Sequence, residues 1–362
     1  MNRLLKAGVF AIFTLLVIHA QSQNILLVDN SAGAPGGTHV YASISDALSA
    51  AVAGDIIHVK PSTVSYGDFT ITTNDISIFG VGFNPSKDVP TLSIFGTVNV
   101  QTDNVRLAGL QITTLNAAES LSGTIAFDGL TIDGCNIQSI DIGDGNDTFT
   151  NVILRNNVIG QLGTAVTTAI ALDVNAGSSS VLITNNVIAG RSFGSLDCDG
   201  GCTIRNNIFI GDGTGEYAFE TVGTSTVFNN IFYGKNPAAR LTLSDVSFTN
   251  NFAVGALDNA LGTGTGVTET GTITSITDPA TVFEDANIAV QQFWDFSWDP
   301  AIATSATSLI GAGNDGTDVG VTGSTTGWST TGTPLPLIQV MNLSDIVRQG
   351  TDLDVSVQAE GN

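Results

Sequence analysis

Positive charge is what this 362-residue chain has least of: 11 Lys and Arg stand against 33 Asp and Glu, a net charge of −22. Without a basic footprint a protein cannot displace counterions from DNA, RNA or an anionic bilayer, so nucleic acid is excluded as a partner. Polyuronic acids are repelled by the same field unless divalent cations bridge the two. Histidine appears three times, and the chain has no zinc-spaced His/Cys set, nucleophile elbow or phosphate-binding loop. Long hydrophobic runs are missing as well. The apolar run at residues 7–18 is too short to span a bilayer. With Arg3 and Lys6 before it and the small residues "AQS" at 20–22 after it, the run has the pattern of a signal peptide covering 1–22. The sequence therefore predicts export, to the medium or the cell surface, with no membrane span once that peptide is removed.

Cysteine is limited to three residues. Cys198 and Cys202, in "CDGGC", are candidates for a small disulfide loop in an oxidising compartment, and a metal site there lacks a second ligand pair. Cys135 lies in an apolar stretch and reads as a small buried hydrophobe. Charged residues make up only 12% of the chain, so this is not an acidic disordered tail. Gly, Ser, Thr and Asn supply most of the polar positions, which suits turn-rich β structure.

What is abundant is repetition. "VILRNNVIG" at 152–160 is echoed by "VLITNNVIAG", "TIRNNIFIG", "TVFNNIFYG" and "VSFTNNFAVG" further along. Aligning the echoes gives one column of Asn156, Asn185, Asn206, Asn229 and Asn250, which extends backwards through Gly134, Gly109 and Gly80. Only Gly and Asn fill it, the two residues that adopt φ > 0 at least cost. The flanks are β-branched and alternate, which disfavours helix. A left-handed bend between two short strands, recurring every twenty-odd residues, predicts the coil of a parallel β-helix. The next column, Asn157, Asn186, Asn207, Asn230 and Asn251, then stacks at the interstrand spacing as an asparagine ladder. Both columns read as structural.

The segment 41–55, "YASISDALSAAVAGD", is amphipathic. It reads as a short helix, capped by Ser43 or Ser45, that plugs the N-terminal end. The domain plan is a signal peptide over 1–22, one β-helix over 23–333 and a short β tail over 334–362. Signal peptide, "ISDALSAAVAGDIIHV", NN-type coils and the closing "FWDFSWDPAIATSATSLIGAGNDGTDVG" together resemble secreted right-handed parallel β-helix proteins of the pectate-lyase-like superfamily. The Pro-led tail ending "VSVQAEGN" is similar to exported proteins of Bacteroidota. The resemblance implies a right-handed solenoid. It implies no particular activity, because the superfamily hosts lyases, esterases, hydrolases and adhesins.

No evident catalytic constellation emerges from the residues. The sequence supports a monomeric binding or structural protein whose partner is a polysaccharide. The alternative is a polysaccharide-degrading enzyme, either a Ca²⁺-assisted lyase or a glycosidase. Its candidates are Arg155 and Arg205 as bases, and Asp197 with Asp199 as a carboxylate pair. Asp141, Asp144, Asn146 and Asp147 form the turn best suited to Ca²⁺, the cofactor these residues suggest, although no distal bidentate Glu completes a loop. Phe293, Trp294, Phe296 and Trp298 are expected to plug the C-terminal end of the core. An enzyme predicts acids, a base and an aromatic converging from adjacent coils. A binding protein predicts a flat Thr/Asn/Ser face.

Overall fold

The computed structural model describes residues 23–324 apart from 33–37, 83–91, 119–125, 144–146, 163–164, 167–169, 175–177, 191–193 and 275–277, together with Trp328 and the strands Leu337–Leu343 and Val355–Glu360. The expected signal peptide, Asp144 and Asn146 lie outside the described residues. The chain winds into a parallel β-helix. Strands such as Val105–Ala108, Leu130–Asp133, Cys202–Arg205 and Ser247–Thr249 pair in parallel with their counterparts one coil on, building a first sheet that runs from end to end. A second parallel sheet has two limbs. One follows each asparagine pair (Val187–Ile188, Ile208–Ile210, Ile231–Tyr233), and the other carries Leu172–Val174, Leu196–Cys198 and Tyr217–Gly223. The long strands Gln111–Ala117 and Asn136–Ile142 run through both limbs.

The bend between the first sheet and the first limb sets the geometry. Asn156, Asn185, Asn206, Asn229 and Asn250 have φ between 51° and 57°, and Gly109 and Gly134 have 67° and 60°. Gly80 departs from the expected pattern: it shares the register, but its φ is not in the left-handed region, and Gly82 (φ 110°) turns the chain there. Gly80 is instead required by close approach, since a Cβ would lie 2.3 Å from the Gly109 carbonyl oxygen. The following asparagines point inward and are fully buried. Each Nδ2 donates to the Oδ1 one coil on: Asn157 to Asn186 at 2.9 Å, and Asn186 to Asn207, Asn207 to Asn230 and Asn230 to Asn251 at 3.0 Å. Each also reaches back to a strand carbonyl, as Asn207 does to Ile183 at 2.9 Å. The ladder thus satisfies backbone groups that sheet pairing leaves free at a corner.

A second left-handed column lies at the corner entering the first sheet. Asp75, Asn104, Gly129, Asn151, Gly201, Thr224, Asp245 and Gly266 occupy it, with φ from 38° at Thr224 to 75° at Gly201. Its residue types are too varied to stand out as a repeat.

The inner faces of both sheets form one core running from Leu26 to Ala253. At its N-terminal end the helix spans Ile44–Ala50, shorter than the amphipathic segment, with the Ser43 hydroxyl accepting from Asp46 N at 3.1 Å. Ile44 and Ala47 are buried, whereas Val52 is exposed. The aromatic cluster does not plug the opposite end. Residues 278–324 instead fold back along the side of the solenoid, where Trp294, Trp298, Val282 and Leu309 pack on the outward faces of Val158, Val187, Ile208, Ile231 and Phe252 in a second core. The first limb is therefore apolar on both sides, which is why its strands read as unbroken hydrophobic runs. Asn185, Asn206, Asn229 and Asn250 hold this cover by donating Nδ2 to Val321 O, Gly320 O, Asn314 Oδ1 and Ala312 O respectively. Gln161 and the Trp294 backbone exchange two further bonds, at 2.8 and 2.6 Å. The strands Leu337–Leu343 and Val355–Glu360 pair as an antiparallel hairpin.

Candidate functional site

With the first limb covered, the second limb is the lateral face where coils present a continuous polar column. Inward residues alternate with outward ones, so every strand carries an apolar–polar–apolar triplet. Register pairing stacks the outward residues Thr70, Asn99, Asn116, Asp141, Asp173 and Asp197, one per coil at about 4.8 Å. The N-terminal part is a solvated amide ladder: Asn116 Nδ2 donates to Asn99 Oδ1 at 3.0 Å, and Asn99 Nδ2 to Thr70 Oγ1 at 3.5 Å. Beside it Thr97, Thr114 and Ser139 form a parallel hydroxyl row. Further along, three consecutive coils replace the amide with aspartate.

Like charges on neighbouring strands repel, and part of this column is also shielded from water. Asp197 is pushed up to about 7, first by burial and then by the charges of Asp173, Asp199 and Glu220. One of its carboxylate oxygens, Oδ1, is buried without a hydrogen-bond partner. The next coil resolves its charge differently. Glu220 is gripped by Arg240, whose Nε donates to both carboxylate oxygens at 3.0 and 2.8 Å and whose Nη2 also contacts Oε1. The Gly194 amide adds a bond at 3.0 Å. That arginine holds the Glu220 carboxyl below its ordinary range. Asp197, raised, thus lies one coil from Glu220, a carboxylate clamped in its ionised form.

The sequence candidates divide between faces. Asp197 and Asp141 belong to this column, and Asp199 sits exposed in the turn just after it. Cys198 and Cys202 are joined by a disulfide that closes that turn, and Cys135 is free, buried and pushed up to about 12 by desolvation. Arg155 and Arg205 lie on the first sheet, two coils apart with Thr184 between them. Arg155 donates Nε and Nη2 to Asp133 Oδ2 at 3.0 and 2.8 Å, a carboxylate it shares with Arg106. The two arginines and the two aspartates thus do not form one site. Asp147 is buried rather than turned outward with Asp141. Among the described residues, no three His, Cys, Asp or Glu side chains are grouped to hold a metal ion. Asp173 escaped the sequence reading. The signal for it was present in the triplets Ile140-Asp141-Ile142, Leu172-Asp173-Val174 and Leu196-Asp197-Cys198, which share a register independent of the asparagine pairs.

No protein-family model and no curated protein matches the chain. Among solved structures, a mutant of the PL6 family alginate lyase AlyGC aligns with 62% of this chain at 17% identity and a TM-score of 0.29. The aligned region covers 39% of that lyase chain. No helix among the described residues is long and apolar enough to cross a membrane.

Proposed function

We propose that the second limb is a binding face for an extended polysaccharide lying along the solenoid axis, and that the protein is exported, as a monomer, to meet it. The observation that carries this reading is the unbroken outward column Thr70–Asn99–Asn116–Asp141–Asp173–Asp197. A polymer of sugars presents hydroxyl groups at a regular rise, and a face with one hydroxyl, amide or carboxylate per coil meets them repeatedly. The charge of −22 favours neutral polymers, and acidic ones need Ca²⁺ to bridge them to the aspartates. The test is titration calorimetry against neutral and acidic polysaccharides, with and without Ca²⁺, comparing wild type with Asn99→Ala/Asn116→Ala. Binding weakened by the double variant supports the face. Retention of full affinity by that variant, or no binding across the panel, sinks it. Export is tested by N-terminal sequencing of the mature protein, and the monomer by light scattering.

A second reading, glycoside hydrolysis, is favoured by one feature. Asp197 keeps its proton near neutral pH beside a second carboxylate one coil away, as a general acid requires. Asp173 would then be the partner carboxylate. Release of reducing ends that disappears in Asp197→Asn, with binding retained, supports hydrolysis. Absence of turnover on every polymer that binds excludes it.

A further inference from the structure

Lysine is almost never fully buried, yet the Lys235 side chain is 0% exposed and the Glu216 carboxylate beside it 6%. Lys235 follows the bend at Gly234, where the strand Ile231–Tyr233 ends. Its side chain runs back along the solenoid past Gly211 of the preceding coil. A Cβ at Gly211 would lie 2.8 Å from Lys235 Cδ and 2.9 Å from Glu216 Oε2, so glycine there leaves the room the lysine stem needs. Beyond it Nζ donates to Gly190 O, two coils back, at 2.6 Å and meets Glu216 Oε2 at 3.3 Å. The cover supplies a further partner. Gln292 donates Nε2 to Asp212 Oδ2 at 2.7 Å and to Glu216 Oε1 at 3.4 Å.

An ammonium is poorly served in this enclosure. It brings three donors and meets two acceptors among the described residues. Burial pushes the Lys235 amine below the ordinary lysine range, against the opposing attraction of Glu216 and Asp212. Passing one proton along the 3.3 Å contact replaces the ion pair with an amine and a carboxylic acid, both uncharged, which a dry site favours. The neutral pair is also the reactive one, a nucleophilic nitrogen held against its acyl donor. Gln292 donates to Oε1, the oxygen on which charge develops during attack. We infer that Lys235 and Glu216 condense into an intramolecular isopeptide bond that staples one coil to the next. Nζ attacks the Glu216 carboxyl carbon. Oε2 leaves as water, carrying the proton already transferred and a second one from the nitrogen, while Oε1 becomes the amide oxygen. The nitrogen keeps one hydrogen, and no oxidant or cofactor is consumed. Lys60 and Asp29 lie closer, at 2.8 Å, but Lys60 is 48% exposed, so water keeps them an ion pair.

Peptide masses decide the matter. The full-length protein is held folded until its mass no longer changes, then unfolded and digested with trypsin, which cuts after Arg205, Lys235 and Arg240 unless the lysine is acylated. The expected product is residues 206–240 in one piece, uncut at Lys235 and lighter than its sequence by one water. The peptide that holds Asp29 and Lys60 keeps its full mass. Glu216→Gln is expected to change the deficit from one water to one ammonia, or to abolish it and restore cleavage. Cleavage after Lys235 in the wild type, giving residues 206–235 at full mass, overturns the assignment. So does a water lost while Lys235 stays cleavable, which marks a succinimide at Asp212–Gly213 instead. An uncut peptide still lighter by one water in Glu216→Gln overturns it as well, because another carboxyl is then the acyl donor.

Discussion

Replacing Asn207 with Leu tests whether the inward asparagines hold the coils together. Asn207 is fully buried in the middle of the ladder. Its Oδ1 accepts from both Asn186 N and Asn186 Nδ2, at 2.9 and 3.0 Å. Its Nδ2 donates to Ile183 O and Arg205 O, each at 2.9 Å, and to Asn230 Oδ1 at 3.0 Å. Leu has the branched four-atom skeleton of Asn with larger end groups, so the side chain keeps its shape, gains some crowding, and loses all five bonds. Asn186 Nδ2 keeps Leu154 O, and Asn230 Oδ1 keeps Asn207 N. Asn186 N–H is left without an acceptor in a dry corner, and the carbonyls of Ile183 and Arg205 each lose a donor. One orphaned donor and two weakened acceptors imply a loss of about 3–5 kcal/mol. The outward ladder supplies the contrast. Asn116→Leu breaks a bond to Asn99 at 3.0 Å, but water replaces it, so the loss stays below about 1 kcal/mol. Urea unfolding followed by far-ultraviolet circular dichroism reads both losses, and hydrogen exchange at the Asn186 amide reads the local one. An Asn207→Leu protein no less stable than Asn116→Leu refutes the account of the ladder.

Three further outcomes follow from the geometry. Asp197, near 3.8 when unfolded and about 7 when folded, binds a proton in the fold that the unfolded chain releases. Its contribution is therefore present at low pH and lost as pH rises from about 4 through 7. A plot of melting temperature against pH should fall more steeply across that window for wild type than for Asp197→Asn, and parallel curves contradict the shift. Thr224 is a β-branched residue at φ 38°, so Thr224→Gly should stabilise by about 1 kcal/mol, read from the urea midpoint. Trp294→Ala empties the centre of the second core and should cost the cover about 3–5 kcal/mol. The chain's three tryptophans, Trp294, Trp298 and Trp328, all belong to that core, so the emission of the two that remain should shift at lower urea than the sheet signal, separating the cover from the coils.

The asparagine columns were legible because backbone sterics leave so few residues able to occupy a φ near 55°. Five Asn and two Gly in one register could hardly mean anything else. Gly80 misled for the same reason, since glycine also serves where two backbones approach closely. The column Asp141–Asp173–Asp197 was harder to see. Its coils are separated by inserts of unequal length, and alignment on the asparagines loses register across them. The cover was least legible of all. "VIG", "VIAG" and "IFIG" look alike whether one face or both are buried, and only the three-dimensional path of residues 278–324 decides it. The cluster Phe293–Trp298 therefore announces burial without saying where.

That path has a consequence for the order in which the protein assembles. The cover touches coils from Gln161 to Phe252, and the Gln161–Trp294 bond joins residues 133 apart in sequence. A coil grows by adding to the one before it, a local event, whereas the cover has no surface to dock on until five coils stand in register. Until the C-terminal segment arrives, Val158, Val187, Ile208, Ile231 and Phe252 form an apolar stripe open to water. A growing chain thus carries a transient sticky surface whose closure depends on residues made after the coils, and truncation before residue 278 should yield coils that wind but aggregate.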